Sequence, residues 1–151
     1  MNVHYFADQI RHHLAQTDVL ISDETGQLLE TGGGLKNALP LLSSDPVLTM
    51  NTDAVWKGQN SIQPLFQAWK LTEMDALLLI IPRAQAIGHT GSGDFDMDGS
   101  GRLSRGTNYV YSGVQIICTN GLTDITESTF SMWALWDGMP EQKRMFGVVY
   151  D

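Results

Sequence analysis

The stretch Asp75–Ile81 (DALLLII) constrains this chain more than any other, because after its aspartate it is an unbroken apolar run. A strand that is apolar at every position needs cover on both faces, the situation inside a parallel sheet flanked by helices. The residues upstream agree. Val3, Tyr5 and Phe6 read as a strand, and Asp8–Ala15 as a helix with Ile10 and Leu14 on one face. Val19–Ser22 is a second short strand, followed by a turn at Asp23–Gly26 and an extended piece at Gln27–Glu30. The sequence then predicts a helix over Leu35–Leu42, stopped by Asp45-Pro46, and a strand at Val47–Met50. Asn60 or Ser61 caps a helix reaching about Trp69, with Pro64 early, where a missing N–H is tolerated. Strands and helices thus alternate from residue 3 to residue 81, which predicts an α/β, mostly parallel sheet. Beyond it, Asp94–Leu103 reads as a β-hairpin turning at Asp98-Gly99. Tyr109–Ile117 reads as a strand, Ser128–Asp137 as a helix and Phe146–Tyr150 as a last strand. No repeat, low-complexity tract or linker interrupts the 151 residues, so a single domain over 1–151 is expected.

Charge narrows the function classes. Seventeen acidic against 9 basic residues give a net charge of −8, leaving no basic excess to neutralise nucleic-acid phosphates or an anionic membrane. The apolar run at Ala76–Pro82 is far short of the roughly 20 residues that span a bilayer, and the N-terminal residues lack the pattern of a signal peptide. Cys118, the one cysteine, cannot form an internal disulfide. A cytoplasmic protein with no nucleic-acid or membrane partner is expected.

Two features point toward ligand chemistry. The glycines of Thr31-Gly32-Gly33-Gly34 lie between an extended piece and a helix. They either let backbone N–H groups approach an anion or a base, or simply make a tight connection. They match neither a P-loop nor a dinucleotide fingerprint. Asp53 follows a buried strand, at the sheet edge where α/β proteins place ligands. It suits a Mg²⁺ ligand, and it equally suits a turn cap. Asp94, Asp96 and Asp98 are spaced like the start of an EF-hand loop. Arg105 stands where the bidentate glutamate belongs, however, and a hairpin explains the spacing better. His12 and His13 are helix neighbours on different faces and read as solvent-facing. His89 lies in a loop with three glycines (Ile87–Gly93) that can close over a ligand or merely move.

These segments together carry a resemblance. NVHYFADQI, LLETGGGLKNALPLL, MNTDAVWKG, MDALLLIIPR, GHTGSGDFDMDGSGRLSRG, YVYSGVQII and FGVVYD resemble, in order and spacing, the sugar-1-phosphate nucleotidyltransferases. Within them the chain is most similar to the bacterial N-acetylmuramate α-1-phosphate uridylyltransferase group, also called mannose-1-phosphate guanylyltransferase-like. The resemblance implies a Rossmann-like nucleotidyltransferase fold with a β-hairpin insertion. It also implies transfer of a nucleotidyl group from UTP or GTP to a sugar 1-phosphate, with Mg²⁺. By the same resemblance Thr31, Gly32 and Gly33 lie against the nucleobase and ribose, Asp53 holds the metal, and Gly88, Tyr111 and Gly113 border the sugar.

The sequence departs from that family in two places. The glycine-rich A-A-G-x-G-x-R-M loop and the Pro-Lys-Pro segment, which hold the triphosphate and supply an essential Lys, have no match here. The second metal carboxylate has none either, and Asp151 does not match it. The fold is therefore expected to be incomplete, beginning within the family's second strand, and the 151-residue chain to be inactive by itself. The alternative is a catalytically dead relative that binds nucleotide or sugar, or that forms a homodimer through an exposed strand edge.

Overall fold

A computed structural model describes residues 1–139 and 144–150. The chain divides into two compact units, Met1–Asp45 with Thr119–Asp137 and Pro46–Cys118 with Gly138–Asp151.

The second unit is built on a six-stranded sheet. Its strands are β3 (Val47–Met50), β4 (Ala76–Pro82), β5 (Phe95–Met97), β6 (Leu103–Arg105), β7 (Tyr109–Ile117) and β8 (Met145–Val149), with helix α3 (Gln63–Ala68) between β3 and β4. The apolar run does what its composition demands. Leu77 and Leu79 face a cluster with Leu65, Met74, Val114, Ile116 and Phe146, while Leu78 and Ile80, which alternate with them, are also fully buried. Each such side chain contributes about 1.5–3 kcal/mol through burial.

Strand directions correct the expectation of a mostly parallel sheet. The order is β6-β5-β7-β4-β8, with β3 also paired to β7. Only β4 and β8 are parallel neighbours; the β3–β7, β4–β7, β5–β7 and β5–β6 pairs are antiparallel. The α3 crossover does leave β3 and β4 pointing the same way, because Val47 and Ala76 both oppose Ile117. They are not neighbours, however: β7 lies between them. An apolar strand buried on both faces looks the same in sequence whichever way its neighbours run, so the run at 76–82 carried no information on direction.

The first unit contains β1 (Asn2–Val3) parallel to β2 (Ser22–Asp23), joined through helix α1 (Ala7–Leu14). It also holds α2 (Glu30–Ala38) and the short α4 (Trp133–Trp136). Two further expectations are corrected here. Gln27–Leu29 forms no strand, and the glycines do not precede the helix but lie within α2. The helix expected over Ser128–Asp137 shrinks to α4, because the backbone before it is engaged elsewhere. Phe130 N–H donates to Leu29 O (3.2 Å), while Phe130 O accepts from the N–H groups of Gly32 and Gly33 (3.0 Å each).

That contact explains why α2 tolerates residues each costing a helix about 1 kcal/mol. A Cβ at Gly33 would lie 2.2 Å from Ser128 O, and one at Gly32 2.6 Å from the Phe130 ring. Gly33→Ala is therefore expected to destabilise the protein by about 2 kcal/mol or more, as overpacking does. Gly26→Ala, with nothing within 4 Å of the added methyl, should stay within about 0.5 kcal/mol of the parent. Urea denaturation of the two variants checks this.

Candidate functional site

Because β3, β4 and β8 run in one direction, their carboxyl ends (Met50, Pro82 and Val149) lie at one edge of the second unit's sheet, beside the Tyr109–Gly113 half of β7. In α/β sheets ligands gather at the carboxyl edge. Asp53 stands three residues beyond β3 in an irregular loop, and Gly88 (φ 81°) lies in the loop after β4. Tyr111 and Gly113 are on β7 itself. The structure thus brings Asp53, Gly88, Tyr111 and Gly113 to the same edge of one unit.

Gly113 is the hinge of this arrangement. The β4–β7 register shifts between Leu78 and Ile80, and β7 bulges there with Gly113 at φ 88°, where its Cβ would meet Asn51 at 2.9 Å. The Gly113 carbonyl accepts from Asn51 N–H at 2.8 Å, pinning the start of the loop that carries Asp53. Bulges of this kind re-aim strands next to functional sites. Tyr111 pairs with Ile80 on the far side of the bulge from Gln115. Its N–H donates to Asp94 Oδ2 (2.9 Å), and burial pushes its phenol well above the usual tyrosine range despite a hydrogen bond with the Thr49 side chain.

The second unit's aspartates divide sharply by what their carboxylates do. Asp94 accepts from Tyr111 N–H, and Asp96 from Thr107 and Asn108 N–H (3.1 Å each). Asp98 accepts from Ser100 N–H and Oγ (2.8 and 2.6 Å) and from Arg102 N–H (3.0 Å). Asp75 pairs with Arg144 at 2.8 Å. The EF-hand-like spacing thus belongs to a β5–β6 hairpin whose acids are spent on separate stretches of backbone. Asp53 is exposed, and among the described residues its carboxylate caps no turn and pairs with no cation. The Lys57 ammonium, in the same loop, likewise has no partner among the described residues. Asp53 offers the hard oxygen that Mg²⁺ takes, with water and phosphate completing the shell. No group of three His, Cys, Asp or Glu gathers anywhere among the described residues.

Thr31, Gly32 and Gly33 lie in the first unit. Thr31 is exposed, and its Oγ1 accepts from Met132 N–H (3.1 Å). Gly32 and Gly33 are buried against Phe130 and Ser128, with their N–H groups already donated to Phe130 O. Their immediate neighbour is the chain's own backbone.

With this geometry in place, comparison with known proteins is informative. No protein-family model matches the chain. Its fold matches that of HddC from Yersinia pseudotuberculosis, in the crystal structure complexed with GMP-PN (TM-score 0.72, 18% identity) and in a second crystal structure of HddC (TM-score 0.69, 18% identity). Each match covers 98% of this chain and 67% of that one. The fold is thus the α/β fold of HddC. N-acetylmuramate alpha-1-phosphate uridylyltransferase of Caulobacter vibrioides is 32% identical over 162 residues, which cover 98% of this chain and 67% of that protein. The chain belongs to the sugar-1-phosphate nucleotidyltransferase family and spans about two thirds of the length of these relatives. No helix among the described residues is long and apolar enough to cross a membrane.

Sequence reasoning missed Asn51, Trp56 and Tyr150, which shape the loop around Asp53. Nothing in FGVVYD marks Tyr150 as more than a strand residue, and its contacts reach about ninety residues back along the chain. For the hairpin, the Ser100 hydroxyl and the Arg102 and Ser100 amides hold the Asp98 carboxyl below the usual aspartate value. A carboxyl that titrates lower when folded stabilises above its unfolded pKa, and that contribution is lost as pH falls through the folded one. The amide shifts of Ser100 and Arg102 should therefore titrate with a midpoint below 3.8 and lose that transition in Asp98→Asn, as NMR will read.

Proposed function

We propose that this chain carries the base-facing and sugar-facing part of a sugar-1-phosphate nucleotidyltransferase. In that reaction a phosphate oxygen of the sugar 1-phosphate forms a bond to the α-phosphorus of UTP or GTP. The bond from that phosphorus to the bridging α–β oxygen breaks, and pyrophosphate leaves. Little covalent chemistry falls to protein groups in such a transfer, so positioning and charge neutralisation do the work. The exposed Thr31 meets the nucleobase and ribose, with Gly32 and Gly33 packed behind it against Phe130 and Ser128. Gly88, Tyr111 and Gly113 border the sugar, and Asp53 holds Mg²⁺, which when bound offsets phosphate charge.

The observation that carries this reading is the Asp53 carboxylate at the carboxyl edge of the sheet, unpaired among the described residues, in a chain whose relative is a uridylyltransferase. Phosphate handling is a different matter. Lys and Arg occur in the first unit only at Arg11 and Lys36. Arg11 is committed to Asp8 and Asp23, and Lys36 to the carbonyls of Ile125 and Glu127. The 151 residues are thus proposed to bind nucleotide without turning it over.

Calorimetry with UTP and with GTP, each with and without Mg²⁺, tests the reading. Asp53→Ala should lower the Mg²⁺-dependent part of the affinity by about 10- to 150-fold, in line with the ~1.5–3 kcal/mol of a lost charged contact, and leave the metal-free part unchanged. Equal Mg²⁺ dependence in both proteins would remove Asp53 from the site. Pyrophosphate release by the isolated chain with UTP and N-acetylmuramate 1-phosphate would overturn the separation of binding from turnover.

A further inference from the structure

The loop from Asn51 to Asn60 contains neither helix nor strand, yet it is tied at both ends and in the middle. It leaves β3 on one side of β7 and must reach the far side of β4, where β8 ends. In a sheet ordered β3-β7-β4-β8 that is three strand spacings, about 14 Å. Its first tie is the Asn51–Gly113 backbone bond. At the far end the Tyr150 hydroxyl shares its proton between the carbonyls of Lys57 (3.0 Å) and Gln59 (2.8 Å). Tyr150 is itself fixed, its N–H donating to Ile80 O at 2.9 Å. Between these ties Trp56 packs against the apolar cluster around Leu77 and Val114 and meets the Tyr150 ring edge-on, with centroids 5.2 Å apart. Gly58, between the two bonded carbonyls, has φ 93°, and a Cβ there would face the Tyr150 hydroxyl at 4.0 Å. An L-residue adopts that backbone only with strain. The loop is a strap across the sheet, and Asp53 and Lys57 are its two charges, each without an ion-pair partner among the described residues.

We propose that Tyr150 is a positioning residue for Asp53. By holding the far end of the strap, its hydroxyl fixes where the Asp53 carboxylate stands and hence the strength with which it binds a divalent cation. This rests on the reading of Asp53 as a metal ligand. Groups that hold a ligand-bearing segment commonly alter metal affinity by about 10–100-fold when removed, because a carboxylate on a loose loop must be ordered each time it binds.

Tyr150→Phe in the full chain keeps the ring contact with Trp56 and deletes the hydroxyl. Two measurements follow. Amide hydrogen exchange without ligand should quicken about tenfold or more at residues 52–60, with β4 and β7 amides unchanged. Mn²⁺ titration of the UTP complex, read by water-proton relaxation, should show affinity about tenfold weaker, while metal-free UTP affinity stays the same. The Asp53→Ala, Tyr150→Phe double variant should bind Mn²⁺ no more weakly than Asp53→Ala alone, a non-additivity that a purely structural tyrosine would not produce. Gly58→Ala, which strains the strap without touching the apolar cluster, should repeat both effects should Tyr150→Phe fold poorly. Unchanged exchange at 52–60, or quickened exchange with unchanged Mn²⁺ affinity, overturns the role of Tyr150 and leaves Asp53 as a ligand. Mn²⁺ affinity that is indifferent to Asp53→Ala overturns both.

Discussion

Strand β7 is the constraint on which the second unit depends. One edge pairs with β4 along nearly its whole length, while the other is divided: Phe95 of β5 meets Tyr109 near one end, and β3 pairs with Val114–Ile117 at the other. β3 joins the sheet through this strand, and the hairpin joins it here and through the Arg102–Phe146 bridge to β8. Its bulge at Gly113 marks the boundary between those two partners, and it is where the chain leaves β3 and turns toward Asp53. Backbone hydrogen bonding thus sets the geometry of the candidate site before any side chain takes part.

How much of this was legible in the sequence depends on the range of the interactions involved. Val47–Met50 and Tyr109–Ile117 coincide with the strands read from their apolar, β-branched and aromatic content, and α3 was visible in its early Pro64, although its N-cap is Ile62 and not Asn60 or Ser61. Which strand lies beside which was not, because antiparallel and parallel neighbours bury the same side chains. The glycines of α2 misled for a related reason. Glycine is a poor helix residue locally, and only the approach of Ser128–Ser131, about a hundred residues away in sequence, makes a helix there favourable. At the candidate site, Asp53 could be read as ligand or cap from local chemistry alone. Its distinction emerged only when Asp75, Asp94, Asp96 and Asp98 of the same unit proved to be engaged. Tyr150 was beyond reach, since its hydroxyl acts on carbonyls that no local pattern advertises.

Family membership and geometry bear on different parts of the same question. The uridylyltransferase relative bears on the reaction class, and HddC on the fold. The chain's own atoms then limit what each unit can offer. The first unit is strongly acidic, with both of its strong bases engaged, and an anionic ligand meets little attraction from such a surface. In the second unit the strap presents an acid and a base free of partners among the described residues.

The crowding at Gly32 and Gly33 has a consequence for how substitution experiments on this molecule are interpreted. A side chain at either position collides with the chain's own Phe130 ring or Ser128 carbonyl, so a scan of replacements would mark both as indispensable even in the absence of any ligand. Loss of function at these glycines therefore reports on folding first. Thr31, exposed beside them and free of that steric penalty, is where an effect on nucleotide recognition can be separated from an effect on assembly.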